Sequence, residues 1–231
     1  IGAMCHEFSH CMGIPDMYDT GYSGNFGMGP FDLMDYGAYN EDGYQPCGYT
    51  AYERMISGWI DPIEVRKGAE LSVTGMKALT EGGEAYKLIN SGNEDEYFLV
   101  ENRQFSGWDE SLPQSGVIIT HVDFDQTVWY YNMVNTTGYD PDLQFTNPHQ
   151  RMTIFHADND DDSKYYSKNQ QGYTKTTYLG DPYPYKGNDS LTNLSRPSNA
   201  IYTKNSDGKK YMDVAIRNIE VTSDGVASMD F

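Results

Sequence analysis

Near the start of the chain two histidines, His6 and His10, flank Glu7, and Gly13 and Asp16 follow at three-residue intervals. If residues 1–12 are helical, His6 and His10 lie about one turn apart on one face and offer two imidazoles to one ion from a rigid support. Glu7 is turned about 100° away from that pair, close to the ion without being a ligand. Gly13 can take a positive φ and end the helix, Pro15 keeps it from resuming, and the reversed chain returns Asp16 as a third ligand. The spacing therefore predicts Zn²⁺ held by His6, His10 and Asp16, with a fourth position open, and Glu7 as the base that takes a proton from water attacking a carbonyl. Asp19 is a rival third ligand, although Asp19-Thr20-Gly21 suits a turn in which that carboxylate accepts backbone hydrogen bonds. The bland alternative is a polar helix face, because such a histidine pair also arises by chance.

Positioning these groups requires a helix around them and a second body of structure to brace it. Thr50 to Ile60 carries Tyr52, Met55, Ile56 and Trp59 at helical spacing, with Gly58 and Pro62 marking its end. Beyond it the glycine-containing, charged stretch Glu64 to Gly68 reads as a boundary, dividing the chain into 1–66 and 67–231. Seven short β-branched or aromatic runs follow, separated by Gly, Asn and Asp: Leu71 to Gly75, Ala85 to Ile89, Tyr97 to Asn102, Val117 to Val122, Met152 to His156, Met212 to Ile219 and Val226 to Phe231. This order predicts an α+β chain whose second part is an antiparallel, sandwich-like β domain. Ala227, Met229 and Phe231 alternate with Val226, Ser228 and Asp230, as in a half-buried last strand.

Two long stretches, Asp123 to Arg151 and Ser163 to Asn199, fit neither pattern, and stretches of that length usually serve a function or lack order. Trp129, Tyr130 and Tyr131 in the first are expected to pack the loop onto the sheet, with a stacking platform for sugars as the alternative. Asp158, Asp160 and Asp162 alternate as calcium ligands do, without the glycine and terminal glutamate of a helix-loop-helix site; a solvated acidic loop is the other reading. His121 and Asp123 supply only two ligands and read as hydrogen-bonded core or rim residues. Cys5 and Cys11 stand roughly 9 Å apart along the helix, too far for a mutual disulfide. Cys47 could pair with either, all three could be free, or the thiols could join the histidines around a metal.

The chain has 34 acidic and 16 basic residues, a formal charge of -18 that disfavours nucleic acid and anionic membrane surfaces. It suits an extracellular, cation-rich setting, and no apolar run reaches the ~20 residues that span a bilayer. With 20 Tyr, 9 Phe and 3 Trp, the core is expected to be rich in aromatic side chains. Composition leaves the oligomeric state open.

His6-Glu7-x-x-His10-x-x-Gly13-x-x-Asp16, followed by Leu33-Met34-Asp35-Tyr36-Gly37, resembles the Asp-ended metzincin signature and its Met-turn. The fuller text from His6 to Asp19 and Phe31-Asp32-Leu33-Met34 is similar to the immune inhibitor A-like peptidases of family M6, as are Tyr97 to Gln104 and Gly116 to Asp123. The resemblance implies a secreted or cell-surface zinc endopeptidase acting on proteins or peptides, with His6, His10 and Asp16 as ligands, Glu7 as general base and Met34 as an apolar floor. It also implies Tyr36 as a candidate oxyanion stabiliser, calcium binding, and residues 1–66 as the lower lobe of a catalytic domain whose upper subdomain lies upstream. Without that subdomain the fragment is expected to be inactive. The contrasting expectation is a binding or interaction module in which the β domain recognises a partner and no chemistry occurs.

Overall fold

The computed structural model describes residues 1–161 and 177–231. The fold is α+β: among the described residues it has helix α1 (Gly2–Cys11), a run of turns, helix α2 (Ala51–Ile56), and then ten strands interrupted by the short helix α3 (Gln126–Tyr130). Among the described residues no helix is long and apolar enough to cross a membrane.

Strands β1 (Ile63–Val65), β3 (Tyr86–Ile89), β4 (Glu96–Arg103), β5 (Gly116–Asp123) and β8 (Met152–Ile154) form one sheet in the order β1-β3-β4-β5-β8. Strands β2 (Ser72–Met76), β10 (Ala227–Asp230) and β9 (Arg217–Val221) form a second, and β6 (Gly138–Asp140) pairs with β7 (Phe145–Asn147). The pairing is antiparallel except between β1 and β3. β1 departs from expectation, since Glu64, the proposed start of a boundary, lies inside a strand paired with Lys87. β9 also differs: Met212, Val214 and Ile216 are buried in alternation, yet this segment makes only single bridges, because the chain opposite it is irregular.

Every residue of β4 and β5 is buried, because the five-stranded sheet is covered on both faces. Tyr97, Leu99, Ile118, Val122, Met152 and Ile154 pack with Ile14, Met17, Phe31 and Met34 from the first sixty residues. On the opposite face Phe98, Val100, Val117 and Ile119 join Val73, Met76, Ala227 and Met229 of the second sheet. The alternation expected for the last strand is present, with Ala227, Met229 and Phe231 buried. The irregular stretch 123–151 holds α3 and the β6-β7 hairpin, and Trp129 donates to the Tyr52 hydroxyl at 2.7 Å. Trp129 thus packs the loop down as expected, whereas Tyr130 and Tyr131 remain exposed.

Helix α2 begins with a reciprocal cap in which Thr50 Oγ1 accepts from Glu53 N while Glu53 Oε2 accepts from Thr50 N. Glu53 is fully buried and its Oε1 has no hydrogen-bond partner; the same is true of Asp32 Oδ2. Arg103 is already committed to Asp109 and stands 3.6 Å from Glu101. Burial therefore pushes the Asp32 carboxyl up to about 7 and Glu53 well above the usual range, each raised further by neighbouring carboxylates. Groups whose folded pKa is raised stabilise the fold fully below their unfolded values and lose that contribution as pH rises through the folded values. Thermal unfolding should accordingly show Tm falling as pH rises from about 4 through about 7. Glu53→Gln, uncharged throughout, should flatten that decline; slopes identical to the parent's would rule out a buried, protonated Glu53.

Candidate metal centre

Helix α1 ends where glycine permits it to. Gly13 has φ of +84°, its N–H bonds the His10 carbonyl at 2.9 Å, and Ile14 N bonds the Ser9 carbonyl at 3.3 Å. This is a Schellman termination, with buried Ile14 as its apolar anchor. The turn also places the Ile14 carbonyl 2.8 Å from His10 Nδ1. At the other end, a side chain on buried Gly2 would collide with the Ala38 carbonyl, so glycine allows the helix to lie against the chain around Ala38. Buried Ser9 fixes the middle by bonding the Tyr49 hydroxyl at 2.6 Å.

His6 Nε2 and His10 Nε2 lie 3.0 and 3.3 Å from the same atom, Asp16 Oδ1. Despite those distances, Asp16 Oδ1 has no hydrogen bond of acceptable geometry and is buried. Three donor atoms thus converge on one another without pairing, all within 4.8 Å, which is the arrangement a metal ion resolves. The imidazoles are edge to face, with ring centroids 5.0 Å apart. His6 Nδ1 meets the Leu33 carbonyl at 2.9 Å, and His10 Nδ1 meets the Ile14 carbonyl. Each carbonyl claims the Nδ1 proton, which leaves both Nε2 lone pairs facing Asp16.

Electrostatics match this geometry. The Asp16 carboxylate raises the His6 pKa above its ordinary value, despite burial. Burial pulls Asp16 upward, but the adjacent His6 imidazole, the hydrogen bond from Asn132 and the charge of His10 outweigh it and hold Asp16 below the usual carboxylate range. Two imidazole nitrogens and one carboxylate oxygen are the donors of an open, three-ligand zinc site. Asp19, the rival ligand, is elsewhere engaged: its carboxylate accepts from Ser23 Oγ, Gly24 N and Asn25 N, as a turn residue does.

The segment 33–37 braces the centre through its backbone. Leu33 supplies the carbonyl behind His6, and the Met34 carbonyl accepts from Met17 N at 2.8 Å, one residue past Asp16. Met34 itself is fully buried beside Ile14 and Met17. Two acids shape the turn: Asp32 Oδ1 accepts from Met34 N, and the Asp35 carboxylate accepts from Met28 N, Gly29 N and Tyr36 N. Glu7 is exposed on α1. Tyr36 is also exposed, its ring 5.7 Å from that of Tyr39. Tyr18, not singled out by sequence, stands beside Asp16; burial and that carboxylate push its hydroxyl up to about 12.

Other expectations resolve differently. Among the described residues His6, His10 and Asp16 are the one group of three or more His, Cys, Asp or Glu placed to hold a metal. Asp158 and Asp160 enter no such group, and Asp162 lies outside the described residues, so calcium there finds no support. Cys5, Cys11 and Cys47 are all free. His121 bonds Glu96 at 2.9 Å and stacks between Phe155 and Tyr202, a core residue as expected.

Residues 1–58 match the family model for the immune inhibitor A peptidase M6 catalytic domain. Among the curated proteins and solved structures compared with the chain, none matches.

The convergence predicts that the chain binds one transition-metal ion per molecule, measurable by dialysis and elemental analysis. His10→Ala should weaken binding by more than about 100-fold, beyond the usual cost of losing a partner behind a ligand. Unchanged stoichiometry and affinity after replacing both His6 and His10 would show that the ion lies elsewhere.

Proposed function

We propose that the chain is the metal-bearing part of a zinc-dependent endopeptidase of the immune inhibitor A type, acting outside the cell on proteins or peptides. The observation that carries this reading is the convergence of His6 Nε2, His10 Nε2 and Asp16 Oδ1 within the segment that matches the peptidase family model. In this reading residues 1–66 are the lower lobe of a metzincin-like domain and 67–231 a sandwich-like β domain. His6, His10 and Asp16 would hold Zn²⁺, and when bound it would supply Lewis acidity at the carbonyl under attack and lower the pKa of water.

The chain's own groups then divide the work. Glu7 follows a ligand directly and is exposed on α1, so its carboxylate can accept the proton of the attacking water and return it to the departing amine nitrogen. Tyr36, more than half exposed, is open to donate its hydroxyl hydrogen to the oxygen that gains charge at the carbonyl. Ile1, Met4 and Phe8 follow one face of α1 at 58%, 75% and 64% exposure. We assign that stripe as a seat for structure that aligns the substrate backbone.

The second reading, a binding module without chemistry, draws on the exposed Tyr130 and Tyr131 at the loop surface. Glu7→Gln in the full-length protein separates the two. A peptidase should keep its zinc and lose about 10²- to 10⁴-fold of its turnover on an unfolded protein substrate. Turnover equal to the parent's would remove Glu7 from the chemistry, and absence of turnover in the parent would favour the binding module.

A further inference from the structure

The long loop between β5 and β8 reaches back to the metal centre, and it does so at a ligand. Asn132 Nδ2 donates to Asp16 Oδ2 at 2.6 Å, while Asp16 N donates to Asn132 Oδ1 at 2.7 Å. One side-chain amide therefore grips both the carboxylate and the backbone of the same residue, from a position far away in sequence. Asn132 is aimed by its own helix terminus. Asp125 caps the start of α3 by accepting from Thr127 N and Val128 N; Asn132 N bonds the Trp129 carbonyl and Met133 N bonds that of Val128. Asn132 takes φ of +56°, the left-handed position of a Schellman motif that asparagine tolerates.

We propose that Asn132 is the positioning residue of the metal centre: by occupying Asp16 Oδ2 it commits Asp16 to offer Oδ1 alone. This rests on the zinc reading above and adds a partner to it. A carboxylate has two oxygens of equal basicity, and one free to rotate can bring both to an ion, filling the position that water and substrate need. A charge-assisted hydrogen bond on one oxygen removes that freedom. Neighbouring contacts hold the loop without touching Asp16: Thr136 Oγ1 bonds Thr20 Oγ1 and accepts from Gly21 N, both at 2.8 Å, and Asn135 Nδ2 donates to the Met17 carbonyl.

The test is a Co²⁺ titration of the chain and two variants, followed by the visible ligand-field spectrum and by Tm. Asn132→Gly keeps the left-handed turn and deletes the amide; Thr136→Val loosens the same loop and leaves the amide. Asn132→Gly should bind Co²⁺ about 10- to 100-fold more weakly and shift the spectrum toward higher coordination, with Thr136→Val like the parent in both. Equal affinity and spectrum in Asn132→Gly, or the same change in Thr136→Val, would overturn the role given to Asn132. A parent chain that binds no Co²⁺ would instead overturn the metal reading itself. Should Asn132→Gly fail to fold, the metal-minus-apo infrared difference spectrum of the parent decides. A widely split carboxylate pair marks single-oxygen ligation, and a narrow splitting, both oxygens on the ion, contradicts the proposal.

Discussion

A single buried cation holds this fold together. Arg103, at the end of β4, is fully buried and gives Nε and Nη2 to the Asp109 carboxylate, Nη1 to the Phe31 carbonyl and Nη2 to the Gly48 carbonyl. A guanidinium removed from water costs several kcal/mol unless its donors are met in good geometry, and here they are met by groups from three different segments. Phe31 immediately precedes the Asp32 to Gly37 turn, and Gly48 leads into the cap of α2. The central sheet is thereby tied to the two turns that flank the metal centre, and removing either charge would strand the other, typically at 3–5 kcal/mol.

From that anchor the site is assembled largely by backbone. The carbonyls of Leu33 and Ile14 orient the two imidazoles, and each exists where it does because a turn was forced: Asp32 pins the first, Gly13 the second. Asp16 and the chain beside it are steadied from the β-rich part, through Asn132, Asn135 and Thr136. Both α1 and α3 end in left-handed turns, one at Gly13 and one at Asn132, and the two turns meet around Asp16. The long irregular loop therefore has a mechanical reason to be long. It must leave the end of β5, cross to Asp16 and return as β8, fastened to the first segment by side-chain amides and hydroxyls rather than by strand pairing.

What could be read from the residues was mostly what is local. The spacing of His6, His10, Gly13 and Asp16 gives the helix, its end and the return of the carboxylate because those steps depend on neighbours within a few turns. Runs such as Tyr97 to Asn102 and Val117 to Val122 announce strands by composition, and the alternation at Ala227 to Phe231 identifies its buried face. Strand β1 was hidden because Ile63-Glu64-Val65 is too short and mixed to signal itself, and its partner is parallel and distant. The Thr50-x-x-Glu53 cap and the Asp125 to Asn132 bracket around α3 are local signals of helix ends. The grip of Asn132 on Asp16 was not available, because it joins segments more than a hundred residues apart. The calcium expectation gains no support, since Asp158 and Asp160 enter no metal-holding group and Asp162 lies outside the described residues.

X-ray absorption at the zinc edge, on the chain loaded with one equivalent of Zn²⁺, tests the centre most directly. If His6, His10 and Asp16 hold the ion, the first shell contains only nitrogen and oxygen at about 2.0–2.2 Å, with outer-shell scattering from two imidazole rings. Sulfur at about 2.3 Å would place Cys5 or Cys11 on the metal and contradict that assignment.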